Sequence, residues 1–447
     1  MNVLDSELIR ASLLRDGYEL VDTARDADTI LFNTCSVRQH AEDKIYSALG
    51  RLKHVKEHHP EKIIGVLGCM AQKDQQTIFR RAPHVDLVVG PGQLGQLSSL
   101  LAKVAAGKSP LMEISLDRRN GNRHEVLASF AQYEAERIAE VRPGKHQAMV
   151  RIMFGCDNFC TYCIVPRVRG PEQSRPAGDI VDEARRLADQ GCLEITLLGQ
   201  TVNSYQSQSD GRTTRLSDLL CRLHEIDGLR RLRFVTNHPR HMTDDLLSAV
   251  GDLPKVCPYL HVPAQSGSNL ILRRMKRGYT IEAYREMLAR IEELSPGTSV
   301  TSDFIVGFCG ETEEDFEQTV ALVRDARFKN SFIFKYSPRP LTAAAELYED
   351  DVPESVKRRR NNELLDVQNA ISLEDNQALV GTQAEILVEG PSKLSRKQSA
   401  DAESLQLVGR TEHDRIVVFD GPESLVGQMI DVRIEKADAC TLFGTYG

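Results

Sequence analysis

The chain has 447 residues, 41% of them hydrophobic and 27% charged, with a formal charge of −8. That length suggests about three domains of ordinary globular composition, and no apolar run approaches the roughly 18 residues of a membrane span or the core of a secretory signal. The acidic balance lends no support to nucleic-acid binding, and the expected compartment is the cytoplasm, where ten reduced cysteines read as metal or catalytic ligands wherever they cluster.

In residues 1–105 helix-period segments alternate with short β-rich runs at 29–33 (TILFN), 62–67 (KIIGVL) and 85–89 (VDLVV). That alternation predicts a doubly wound parallel sheet. The chain opens on a predicted helix at 4–15, with no strand before it. At 90–95, GPGQLG fits the G-x-G-x-x-G spacing of a dinucleotide fingerprint, but it follows the last strand of its domain and holds a proline. A helix-entry turn is the better account. Residues 106–141 are rich in charge, poor in periodicity, and read as a linker.

The region 142–376 carries six strand candidates, at 148–153, 194–198, 232–236, 259–262, 299–306 and 331–335. Helical segments such as 179–190 and 281–294 lie between most of them. This is the pattern of an open, partial (β/α)6 barrel of TIM type. A charged helix at 354–376 follows, in which the run 357–360 reads as a solvated face. Short strands at 382–389, 405–409, 416–419, 428–435 and 441–446 then predict a small five-stranded β-barrel of OB type over 378–447.

The strongest chemical signal is GCDNFCTYC at 155–163, which places Cys156, Cys160 and Cys163 in a C-x-x-x-C-x-x-C run just after the first barrel strand. Three thiolates can hold three irons of a 4Fe–4S cluster and leave the fourth open for the amino and carboxylate groups of S-adenosylmethionine. The alternative is structural zinc, which prefers four ligands, commonly in C-x-x-C pairs that this spacing lacks. Cys35 and Cys69 each end a predicted parallel strand, where open α/β sheets bind ligands; they read equally as partial ligands of another cluster or as inert buried thiols. The remaining cysteines have no ligand spacing.

Together with LLGQTVNSY (197–205), TNHPR (236–240), HVPAQSGS (261–268), MKRGYT (275–280) and FKYSPRP (334–340), the cysteine run and its continuation to residue 176 resemble the radical S-adenosylmethionine (SAM) methylthiotransferases. The similarity covers essentially the whole chain and is strongest to those acting on N(6)-dimethylallyladenosine in tRNA. The resemblance implies an N-terminal methylthiotransferase domain, a radical SAM core and a C-terminal TRAM domain. It implies that Cys156, Cys160 and Cys163 ligate the SAM-cleaving cluster, and that Cys35 and Cys69 are two of three ligands of an auxiliary 4Fe–4S cluster. Gln200, Asn203, His261, Gln265 and Asp303 are implied to line the SAM pocket; on position alone they are equally polar caps of strand ends.

The implied activity is transfer of a methylthio group to carbon 2 of the modified adenosine at position 37, consuming two SAM molecules. The implied partners are the tRNA anticodon loop, a reducing protein such as flavodoxin or ferredoxin, and a sulfur donor, around a monomer. Lys393, Arg396, Lys397, Arg410 and Arg433 are candidate RNA contacts, although 378–447 holds seven Lys/Arg against eleven Asp/Glu. Rival readings are sibling methylthiotransferases acting on threonylcarbamoyl-adenosine or a ribosomal-protein aspartate, and a non-catalytic zinc-holding RNA binder.

The sequence departs from the family pattern in three places. Cys309 stands where proline is expected, and Leu341 where glycine usually follows SPRP. The family's first auxiliary-cluster cysteine lies just ahead of a Met-Asn pair, whereas Met1-Asn2 opens this chain. A missing strand and a missing cysteine at one place suggest that Met1 is an internal methionine, with a native start on the order of 10 residues earlier.

Overall fold

The computed structural model describes residues 1–34, 39–114, 142, 144–209, 211–393, 395 and 405–447, with only the backbone described for 39–41. The chain forms two compact units. One comprises Met1–Pro143, Met153–Arg175 and Arg339–Thr342; the other comprises Gly144–Ile152, Pro176–Pro338 and Ala343–Gly447.

In the first unit, β1 (Thr29–Thr34), β2 (Ile63–Gly68), β3 (Leu87–Val89) and β4 (Leu111–Glu113) form a parallel sheet. The described strands follow chain order, β1-β2-β3-β4, without the reversal of a doubly wound sheet. Ile64, Val66 and Val88 pack with Leu49 and Leu52 of the helix Gln39–His58 and with Ile78. Such strands are near-continuous apolar runs because a parallel sheet is covered on its faces.

β4 corrects the expected linker, whose first residues belong to the sheet; residues 115–141 lie outside the described residues. The glycine-rich segment is a 3-10 turn, Pro91–Gln96, running into the helix Leu97–Ala105. A Cβ at Gly90 would lie 2.3 Å from Gln72 Oε1. That glycine accommodates a side chain of its own domain, as a helix-entry turn requires.

Further along the chain come β5 (Gln147–Arg151), the two-residue strands β6 (Met153–Phe154) and β7 (Gln173–Ser174), β8 (Glu194–Leu198) and the hairpin β9 (Gln206–Ser209)/β10 (Arg212–Arg215). Then follow β11 (Arg231–Phe234), β12 (Tyr259–His261), β13 (Ser299–Val306) and β14 (Asn330–Lys335). In the second unit, β5-β8-β11 and β12-β13-β14 are parallel triplets, joined through a bridge between Leu232 and Val256. The six-stranded open barrel is thus the expected one.

Strands β15 (Gln383–Pro391), β16 (Leu405–Thr411), β17 (Ile416–Gly421), β18 (Met429–Ala437) and β19 (Thr441–Thr445) close a separate barrel in the order β15-β16-β17-β19-β18. Its interior is filled by residues including Ile386, Leu407, Val417, Val432 and Leu442. The barrel docks on the amino-terminal ends of the six-stranded barrel through two buried arginines. Arg231 donates to the carbonyls of Arg410 at 2.7 Å and Glu385 at 3.1 Å. Arg233 donates to those of Thr411 at 2.6 Å and Glu412 at 2.9 Å, and pairs with Glu194 at 3.0 Å. The small barrel therefore leaves the carboxyl ends of those strands, where barrels carry their chemistry, uncovered.

The run 357–360 is corrected. On the helix Glu354–Gln377, Lys357 and Arg360 are buried, while Arg358 and Arg359 are exposed. Lys357 pairs with Asp350, and Arg360 donates to Glu311 at 2.8 Å. A solvated face would carry all four outward.

Candidate functional site

The cysteine loop lies in the first unit. Antiparallel pairing of β6 with β7, Phe154 opposite Gln173, closes residues 155–172 at their base. Gly155 holds φ +74, and a Cβ there would come within 2.0 Å of Pro171 O. The Cys156 amide donates to Gly170 O at 3.2 Å, which fixes the start of the loop on its end. Phe159, a non-glycine residue at φ +49, and the Cys163 amide donating to Cys160 O at 3.0 Å complete the turn between the second and third cysteines. Cys156 and Cys160 are buried and Cys163 half-buried; Asn158 Nδ2 lies 3.5 Å from Cys156 Sγ.

Cys69 begins the helix Cys69–Asp74 directly after β2. It is 4% exposed and packs with Ile164 and Val168, which follow Cys163 within the same loop. Arg169 donates through Nε to Cys69 Sγ at 3.1 Å, and through its second amine to Asp5 at 2.7 Å and Asn2 at 3.0 Å. Burial opposes the Arg169 charge, but Asp5 and Cys69 outweigh it and raise its pKa above the ordinary value. Cys35 lies outside the described residues.

Among the described residues no three His, Cys, Asp or Glu side chains are gathered as a metal-holding group. The donor chemistry nonetheless fits an iron–sulfur cluster: three soft thiols on one loop anchored at its base, with an amide N–H within reach of one sulfur.

The residues expected around SAM lie in the second unit, at carboxyl ends of its strands. His261 Nε2 is 3.1 Å from Asp303 Oδ1, joining β12 to β13. Gln265, at φ +70, is stitched to β13 by its backbone: its N–H donates to Asp303 O at 2.8 Å and its carbonyl accepts from Ile305 at 3.0 Å. Asn203 spends its amide on the His238 backbone, donating at 2.9 Å and accepting at 2.8 Å, so it is a brace.

Sequence reasoning gave Asn237, His238 and Arg169 no role. The first two follow β11 in the TNHPR run, whose position after a barrel strand was the available signal. Burial, then Arg277, pushes the His238 imidazole down to about 2, so it is neutral. Gln200 Oε1, Asn237 Oδ1 and His238 Nε2 are buried without a hydrogen-bond partner. Orphaned polar atoms past adjacent strands β8 and β11 fit a site that a polar cofactor completes.

Of the candidate RNA contacts, Lys393 and Arg433 are exposed, and Arg396 and Lys397 lie outside the described residues. Arg410 pairs with Glu389 at 3.2 Å and Asp414 at 3.0 Å, and its carbonyl receives Arg231.

Models of three families match the chain: the Radical SAM superfamily over 150–323, the Uncharacterized protein family UPF0004 over 1–90, and the TRAM domain over 377–446. A tRNA-2-methylthio-N(6)-dimethylallyladenosine synthase of Rhodopirellula baltica is 58% identical, covering 99% of this chain and 93% of the relative. One of Moorella thermoacetica is 43% identical, covering 99% and 95%. Among solved structures, the radical S-adenosylmethionine methyltransferase TsrM of Kitasatospora setae aligns with a TM-score of 0.55 at 15% identity, over 77% of this chain and 72% of that one, a likeness of fold. On this full-length identity, the chain belongs to the tRNA-2-methylthio-N(6)-dimethylallyladenosine synthase family of radical SAM proteins.

Proposed function

We propose that the chain attaches a methylthio group to carbon 2 of N(6)-dimethylallyladenosine at position 37 of tRNA. The observation that carries this reading is 58% identity over 99% of the chain to a synthase of that name, with the cysteine loop closed on a fixed base. The protein uses two 4Fe–4S clusters and SAM, which together supply the one-electron chemistry needed at a C–H bond with no acidic proton and no leaving group.

Cys156, Cys160 and Cys163 hold the cluster that leaves one iron open, and Cys69 with Cys35 contributes to the auxiliary cluster. Gln200, His261, Gln265 and Asp303 line the SAM pocket, to which Asn237 and His238 add an acceptor and a neutral ring nitrogen; Asn203 braces that edge. His238 Nδ1 accepts the Arg240 N–H at 3.3 Å, which leaves the proton on Nε2 as a donor to bound ligand. An anticodon-loop base suits an open barrel, because single-stranded bases can be splayed out and stacked. The TRAM barrel contributes Lys393 and Arg433 to the RNA.

No helix among the described residues is long and apolar enough to cross a membrane. A cytoplasmic monomer served by a flavodoxin- or ferredoxin-like reductant and a separate sulfur donor accords with the reading.

Replacing Cys160 with Ala tests it. Without Cys160 the SAM-cleaving cluster loses one of the three ligands of the loop, so SAM cleavage to 5′-deoxyadenosine should vanish. Wild-type 5′-deoxyadenosine production by the variant would overturn the assignment.

A further inference from the structure

Arg169 is 2% exposed, and its guanidinium is committed on two sides. Nε donates to Cys69 Sγ at 3.1 Å, while the amine reaches Asp5 at 2.7 Å and Asn2 at 3.0 Å. The next residue is tied the other way, since Gly170 O accepts the Cys156 amide at 3.2 Å. Two consecutive residues thus connect the first cysteine of the loop, through backbone, to Cys69, through a side chain. The Phe154 ring lies 5.4 Å from the guanidinium, and Ile164 and Val168 pack against Cys69, so the connection is packed as well as hydrogen-bonded.

A long, charged side chain is an expensive way to fill a buried position, and the pair it makes with Asp5 at most offsets desolvation. An apolar residue would pack Cys69 at least as well. What an arginine adds is a planar donor of fixed direction, able to hold a sulfur and a carboxylate at once.

We propose that Arg169 is a positioning residue that orients the Cys69 sulfur and sets its placement relative to the Cys156–Cys160–Cys163 loop. This rests on the reading of Cys69 as an auxiliary-cluster ligand. Group transfer needs the sulfur delivered to the carbon activated at the other centre, and small misplacements of reacting groups are costly. The N–H···S bond has a second consequence: hydrogen bonds to cluster sulfurs stabilise the reduced state, so removing one lowers the reduction potential.

The test uses the full chain carrying Cys156→Ala, Cys160→Ala and Cys163→Ala, reconstituted anaerobically with iron and sulfide, so that only the auxiliary centre is read. Iron per chain and the midpoint potential from an EPR-monitored titration are measured for this parent, for Arg169→Lys, Arg169→Ala and Asp5→Asn, and for Cys69→Ala as control. Arg169→Lys keeps a cation beside Asp5 without the Nε–H; its potential should fall below the parent's while the centre remains. Arg169→Ala should lose most of the iron. If both fold poorly by circular dichroism, Asp5→Asn, which keeps the arginine and its tie to Asn2 but removes the carboxylate that holds the guanidinium, must bind less iron than the parent.

Parent-like potentials in the folded Arg169 variants, or parent-like iron in Asp5→Asn where neither folds, alongside iron loss in Cys69→Ala, overturn the role of Arg169 and leave the ligand reading standing. A parent that takes up no iron, or unchanged iron in Cys69→Ala, overturns the ligand reading and this inference with it.

Discussion

Gly155→Ala should open the cysteine loop, and the structure sets the size of the effect. At φ +74 an alanine pays about 1 kcal/mol for the left-handed backbone. The new Cβ would stand 2.0 Å from Pro171 O and 2.7 Å from Gly170 O, both backbone atoms that no rotamer change can move. Relieving that overlap separates the strap at 155–156 from 170–171, costing at least about 1 kcal/mol. It also breaks the bond from the Cys156 amide to Gly170 O, worth about 1 kcal/mol. The sum, on the order of 3 kcal/mol, raises the open population about a hundredfold. In the closed loop Cys156 and Cys160 are 9% and 8% exposed, so alkylation of the metal-free chain reads the open state. Their labelling should accelerate by about that factor, and iron uptake should drop. Gly178→Ala is the control, since nothing lies within 4 Å of its Cβ position. Wild-type labelling and iron uptake in Gly155→Ala would refute the argument.

Other expectations follow from single contacts. Arg233→Ala should destabilise the second unit by about 3–5 kcal/mol, because Glu194 is left charged and buried; Arg233→Met with Glu194→Leu should recover most of that in urea denaturation. Burial raises the Glu311 carboxyl to about 7 against the opposing Gly307 amide and Arg360. The folded pKa lies above the unfolded one, so the associated stability is full below about pH 4.5 and is lost as pH rises through about 7. Glu311→Gln should abolish that decline, on the order of 3 kcal/mol, in urea midpoints compared between pH 5 and pH 8. Leu341 holds φ +69, a left-handed backbone that favours glycine. Leu341→Gly should stabilise by about 0.5 kcal/mol, strain relief exceeding the added freedom of the unfolded chain, and a lower melting temperature would contradict this.

The elements most legible in the sequence were those whose burial makes them continuous apolar runs. β8, β13 and the helix Ile281–Leu294 fall where periodicity placed them, and the five strands of the small barrel are punctuated by turn residues. The hairpin β9–β10 was not legible, because QSQS and RTTR present no apolar alternation. β4 was hidden in a charged segment, being three residues long.

Side-chain roles were harder to read where the partner is distant in sequence. Arg169 meets Cys69 and Asp5 across separations of 100 and 164 residues, and Arg360 meets Glu311 across 49. Charge runs therefore read as solvated until a fold supplies the carboxylates. The cysteine loop was legible because its chemistry is local: three ligands lie within one turn-rich segment. Leu341 was visible only as a departure from a family pattern, and its positive φ gives that departure a physical meaning.

The most direct test of the central claim is nucleoside mass spectrometry of tRNA incubated with the reconstituted chain, SAM, a reductant and a sulfide source. With tRNA bearing N(6)-dimethylallyladenosine at position 37, the 2-methylthio derivative should appear; with adenosine at that position, it should not. No methylthio product on the dimethylallyl substrate, or a methylthio group on threonylcarbamoyl-adenosine instead, would contradict the account.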